Sequence, residues 1–192
     1  MKINTEQCED LFEKIEELLE KGSLIMAIDG SSAAGKSTLS NILEQRYNAV
    51  VFHADDFFLR PEQRTAQRLN EPGGNMDRER LKAEVLESLS KGERVTYRPF
   101  DCKTMSLKEA VSVLPGRLNV IEGAYSMHPE LESFYGLSVF LDIDSETQRQ
   151  RIIMRSEAKA EMFFSRWIPM EKRYFEALSV VDRCDIVIKI KD

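Results

Sequence analysis

The segment Gly30-Ser31-Ser32-Ala33-Ala34-Gly35-Lys36-Ser37 matches the pattern GxxxxGK(S/T) at every fixed position, and it constrains the chain more than any other feature. It stands between a short apolar run, LIMAI at 24–28, and the stretch 36–46, where Leu39, Ile42 and Leu43 recur on one helical face. Strand, loop, helix is the context in which such a loop works. Its glycines let the backbone curl so that successive amide N–H groups point into one concavity. The following helix adds its positive amino-terminal end, so a polyphosphate meets fixed donors. Lys36 is expected to reach the β- and γ-phosphates of a nucleoside triphosphate, and Ser37 to give its hydroxyl to magnesium. The competing reading is a flexible Gly/Ser loop with an exposed lysine.

The rest of the chain repeats that alternation. Residues 6–21 carry Leu11, Phe12, Ile15, Leu18 and Leu19 at helical spacing and stop at Gly22. Further strands are expected at 49–52, 118–121, 139–141 and 186–190, with a small one at 95–97. Helices are expected at 77–91, 146–164 and 171–180. Short apolar strands between helices predict an α/β domain with a buried, mainly parallel sheet. At 192 residues the chain is long enough for one such domain, expected to run 1–192 without a linker, repeat or low-complexity tract. Segments 59–76 and 98–117 break the rhythm with prolines and glycines and read as lids or binding loops.

Composition narrows the partners. A net charge of −6 with no long Lys/Arg run argues against broad nucleic-acid binding, and no apolar stretch approaches a bilayer span. The acidic start, MKINTEQCEDLF, lacks the basic and apolar segments of an export signal, so a cytoplasmic protein with a small-molecule partner is expected, with a homo-oligomer left open. Cys8, Cys102 and Cys184 are odd in number and far apart, which predicts free thiols.

Several polar residues point to chemistry at the sheet's carboxyl edge. Asp55 and Asp56 follow the second strand, where open α/β sheets place ligands, and a hydroxyl nucleophile needs a carboxylate to orient it and take its proton. The pair could equally cap a turn. Glu122 ends LNVIE in the manner of a carboxylate near magnesium, or as a solvated strand end. Arg149, Arg151, Arg155 and Arg166 read equally as a solvated helix face or as a cationic lid over phosphates. His53 and His128 are too few and too isolated for a metal site, and His53 reads as packing at its strand end; Phe163, Phe164, Trp167, Tyr174 and Phe175 read as core and helix packing rather than a stacking platform.

With these residues in view, the chain resembles the uridine kinase and phosphoribulokinase family of P-loop kinases. The resemblance is carried by DGSSAAGKST at 29–38, FHADDFF at 52–58, GGNMDRERL at 73–81, VTYRPFD at 95–101, VIEGAYS at 120–126 and the arginine-bearing helix from 149. It implies a P-loop fold with a five-stranded parallel sheet in the order 2-3-1-4-5 and a mobile lid at about 145–170. It also implies ATP and Mg2+ as cofactors and phosphorylation of a primary alcohol on a small metabolite. By the same resemblance, the loop from Gly30 to Thr38 and the lid residues Arg151 and Arg155 bind ATP, while Ser37 and Glu122 hold the metal. Asp55 becomes the catalytic base, Asp77 the residue that holds sugar hydroxyls, and Tyr97, Arg98 and Asp101 the segment against the acceptor's base. Uridine or cytidine is the first expectation for the acceptor. Nicotinamide riboside, pantothenate or a sugar phosphate stays open, as does a regulatory protein that closes on nucleotide without an acceptor.

Overall fold

The structure is a computed structural model and describes residues 5–190. Five parallel strands form the central sheet: β1 (Leu24–Gly30), β2 (Val50–His53), β3 (Leu118–Glu122), β4 (Leu137–Ile143) and β5 (Ile186–Ile190). Their spatial order is 2-3-1-4-5. The register pairs Ile28 with Glu122, His53 with Glu122, and Gly30 with Leu141, so the carboxyl ends of β1, β2 and β3 finish level with one another.

The period of two along each strand sorts residues between two cores. On one face Met26, Ile28, Val120, Leu137, Val139, Ile188 and Ile190 pack under two helices, α1 (Glu9–Lys21) and α2 (Lys36–Tyr47), through Leu11, Ile15, Leu39 and Leu43. On the other, Ala27, Phe52, Ile121 and Phe140 meet α3 (78–90) through Leu81, Val85, Leu86 and Leu89. A π turn at Lys82–Leu86 interrupts α3. The chain then makes α4 (Ser145–Arg155) and α5 (157–177), which lead back to β5.

The helix boundaries after β4 differ from the sequence expectation. The break falls at Ser156, whose extended backbone (φ −167°, ψ 95°) separates α4 from α5, and α5 runs unbroken through the expected gap at 165–170. A π turn at Phe163–Trp167 comes just before Pro169, and this widened turn accommodates a ring that would otherwise clash with the carbonyl four residues back. The small strand Val95–Tyr97 exists but lies outside the sheet, paired antiparallel with Val111–Val113. Phe100–Asp101 and Ser106–Leu107 form a second antiparallel pair within the segment expected as a loop. Among the described residues no helix is long and apolar enough to cross a membrane. All three cysteines are free, Cys8 buried and Cys102 exposed.

Candidate active site

The loop between β1 and α2 has backbone that few sequences tolerate. Gly30 (φ +140°) passes so close to β4 that a Cβ there would stand 2.5 Å from the Leu141 carbonyl oxygen, and Ala33 is held in the left-handed region at φ +64°. Three long side chains grip the loop from α4 and α5. Gln148 Nε2 donates to the Ser32 carbonyl (3.0 Å), Arg151 donates to the Ala33 carbonyl (3.3 Å), and the Glu171 carboxylate accepts from Ser32 N–H (2.9 Å) and Ser32 Oγ–H (2.5 Å). Lys36 Nζ folds across the opening and donates to the carbonyls of Gly30 (2.6 Å) and Ser31 (3.0 Å).

Beneath the loop, Asp29 is fully buried. It accepts from the N–H groups of Gly30 (2.7 Å) and Met127 (3.0 Å) and from the Tyr174 hydroxyl (2.9 Å), which ties the end of β1 to the segment after β3 and to α5. Burial pushes its carboxyl up to about 6, with the Met127 N–H and the Lys36 charge pulling the other way.

A cavity of about 570 Å³ opens over the loop. Ser32, Ala33, Gly35, Lys36, Ser37 and Thr38 form its floor, and Asp55, Glu122 and Arg155 stand around it. Gly30, Ser31 and Ala34 support the floor without lining it. Asp55 is exposed to the cavity, yet desolvation by the protein around it raises its carboxyl above the ordinary range, while the Lys36 charge pulls it back. Glu122 is buried, lies 3.3 Å from Ser37 Oγ through Oε1, and meets His53 Nδ1 at 2.6 Å through the same oxygen. That contact holds the half-exposed His53 above its usual range. His53 is therefore not a packing residue, because parallel register sets it beside Glu122. Ser37 and Glu122 offer hard oxygen donors of the kind magnesium takes, usually one or two from protein with the remainder from phosphate and water. Among the described residues no group of three His, Cys, Asp or Glu gathers around a metal-sized space.

The remaining candidates lie elsewhere. The Asp77 carboxylate is buried and caps α3 at Arg80 N–H (3.2 Å) while accepting from Gln63 Nε2 (2.8 Å). Tyr97 is buried against Phe52 and Phe57 and bonds Asp56. Arg98 donates to the carbonyls of Lys108 and Leu107, and Asp101 accepts from Lys103 N–H. None of these four lines the cavity. The opposite wall is instead made by Phe58, Cys102, Tyr125, Met162, Phe163 and Trp167, with Phe58 stacked on Trp167 at 6.4 Å between ring centres. Two aromatics expected as packing, Phe163 and Trp167, thus face the site, whereas Tyr174 and Phe175 do pack.

No family model matches the chain, and neither does any curated protein. Solved structures do. A possible uridine kinase from Bacillus stearothermophilus aligns at a TM-score of 0.66 and 24% identity over 93% of this chain and 99% of that one. A candidate fructose transport system kinase from Silicibacter sp. TM1040 aligns at 0.62 and 22%, over 91% and 97%. TT1252 from Thermus thermophilus aligns at 0.51 and 18%, over 89% and 90%. At these identities the likeness speaks for architecture, and with the sheet order and the loop it gives this chain the fold of the P-loop kinases.

Proposed function

We propose that the chain is an ATP- and magnesium-dependent kinase that phosphorylates a primary alcohol of a small metabolite, with the 5′-hydroxyl of uridine or cytidine as first candidate. One observation carries this reading: Asp55, a solvent-accessible carboxylate at the end of β2, lines the same cavity as the phosphate loop, and its carboxyl is raised above the ordinary range. A protein that only sensed nucleotide would need no carboxylate there. The nucleoside is favoured by the resemblance of the segment around Asp77 to the one that holds sugar hydroxyls in nucleoside kinases, and by the name of the Bacillus structure.

In this reading the loop amides and Lys36 bind the β- and γ-phosphates, and Arg155 from α4 brings a second cation. Asp55 accepts the acceptor's hydroxyl proton as its oxygen bonds to the γ-phosphorus. The bond from that phosphorus to the β–γ bridging oxygen breaks, and ADP leaves. Ser37 and Glu122 would hold magnesium, which supplies charge neutralisation on the phosphates. The test is magnesium-dependent ADP formation with uridine, cytidine, adenosine, nicotinamide riboside, pantothenate and ribulose 5-phosphate as separate acceptors. Stimulation by one of the nucleosides supports the reading. Stimulation only by pantothenate or the sugar phosphate keeps the kinase and overturns the nucleoside, and acceptor-independent turnover overturns both.

A further inference from the structure

The stretch RWIPMEKRYF at 166–175 takes no part in the chemistry above, yet it reaches the phosphate loop. Glu171 is buried and spends both carboxylate oxygens on Ser32, one on its N–H and one on its hydroxyl. Lys36 Nζ lies against the Gly30 and Ser31 carbonyls, and the lysine of such a loop serves the β- and γ-phosphates, so Ser32 stands at the γ end. Glu171 and Ser32 line the cavity, and a γ-phosphate bound there would be a second anion calling on the same two donors. The two anions repel at close range and cannot both be satisfied by Ser32.

The flanks of Glu171 are anchored differently. Three residues on, Tyr174 is fixed in the core by its bond to Asp29, whereas Trp167, one turn before, lies in the cavity wall against Phe58. Loss of the Glu171 contact therefore frees the stretch of α5 around Trp167, upstream of a held Tyr174.

We propose that Glu171 is the residue by which this site distinguishes a nucleoside triphosphate from a diphosphate: the γ-phosphate displaces its carboxylate from Ser32, and a diphosphate leaves that contact in place. The proposal rests on the nucleotide-binding reading above. Its consequence for the reaction is that the Trp167 stretch of α5 is released when ATP is bound and docks again once the phosphoryl group has been transferred.

The experiment measures equilibrium binding of the non-transferable triphosphate AMP-PNP and of ADP, with magnesium and without acceptor, in wild type, Glu171→Gln and Ser32→Ala. Trp167 is the sole tryptophan, so its emission reports that stretch of α5. Glutamine keeps the shape and can still accept from Ser32 N–H, so the fold is retained. In wild type AMP-PNP should change Trp167 emission and ADP should not. In Glu171→Gln the affinity for AMP-PNP relative to ADP should rise about tenfold or more, as expected from removing one like charge at close range. Ser32→Ala removes the same hydroxyl from Glu171 and from the γ-phosphate, so it should move the ratio far less than Glu171→Gln does. Both nucleotides binding with an unchanged ratio in Glu171→Gln would reduce Glu171 to a packing contact and overturn the proposal alone. Failure of wild type to bind either nucleotide would overturn the nucleotide reading and the proposal with it. A shifted ratio without phosphorylation of any acceptor would sustain Glu171 and overturn the kinase.

Discussion

Tyr174→Phe removes one hydroxyl from the centre of the molecule and nothing else. That hydroxyl is fully buried and donates to Asp29, whose remaining donors are two backbone N–H groups. A hydrogen bond to an ionised group contributes ~1.5–3 kcal/mol, against ~1 kcal/mol for a neutral pair. Asp29 titrates at about 6, so it is charged at pH 8 and mostly protonated at pH 5. The substitution should therefore cost about 2 kcal/mol at pH 8 and about 1 kcal/mol at pH 5. The sign agrees with linkage: a carboxyl raised above its unfolded value stabilises the fold fully below pH ~4 and loses that contribution as pH rises towards 6, and removal of a donor raises it further. Urea melts of both proteins at the two pH values, followed by far-ultraviolet circular dichroism, measure the difference directly. An equal cost at both values, or none at pH 8, would refute the assignment of Asp29 as the buried anion that ties β1 to α5.

Other consequences follow from the same geometry. His128, buried beside Arg78, is pushed down to about 4, so below pH ~6.5 the unfolded chain takes up a proton that the native one refuses, and stability is lost as pH falls towards 4. This opposes Asp29 across nearly the same window, and His128→Asn should leave a protein whose melts lose stability as pH rises from 4 to 6. Gly30→Ala would set a methyl 2.5 Å from the Leu141 carbonyl at a positive φ, and should cost more than ~3 kcal/mol or prevent folding, read by thermal melts of the soluble fraction. Glu122→Gln should weaken the dependence of turnover on magnesium, raising the concentration for half-activation about tenfold or more, measured by titrating magnesium into protein stripped with EDTA.

What the sequence disclosed depended on how local each interaction is. The loop from Gly30 to Thr38 and the position of Asp55 after β2 could be read because strand, loop and side chain are contiguous, and the parallel character of the sheet followed from the same alternation, whereas its strand order came from the family resemblance. Asp77, Arg98 and Asp101 sit in motifs that suggested acceptor contacts, yet their polar groups are taken up by Arg80, Gln63, Lys108 and Lys103 close by. The grip of Glu171 on Ser32 spans 139 residues and that of Tyr174 on Asp29 spans 145, separations that no spacing rule reveals.

The central claim is that Asp55 takes the proton of an alcohol that receives the γ-phosphoryl group. The direct measurement is mass spectrometry of the acceptor after incubation with ATP and magnesium, for wild type and Asp55→Asn. The account predicts an acceptor heavier by one phosphoryl group with wild type, and a rate lower by ~10²–10⁴-fold with Asp55→Asn at unchanged AMP-PNP affinity. Phosphorylation at the wild-type rate by Asp55→Asn would contradict it.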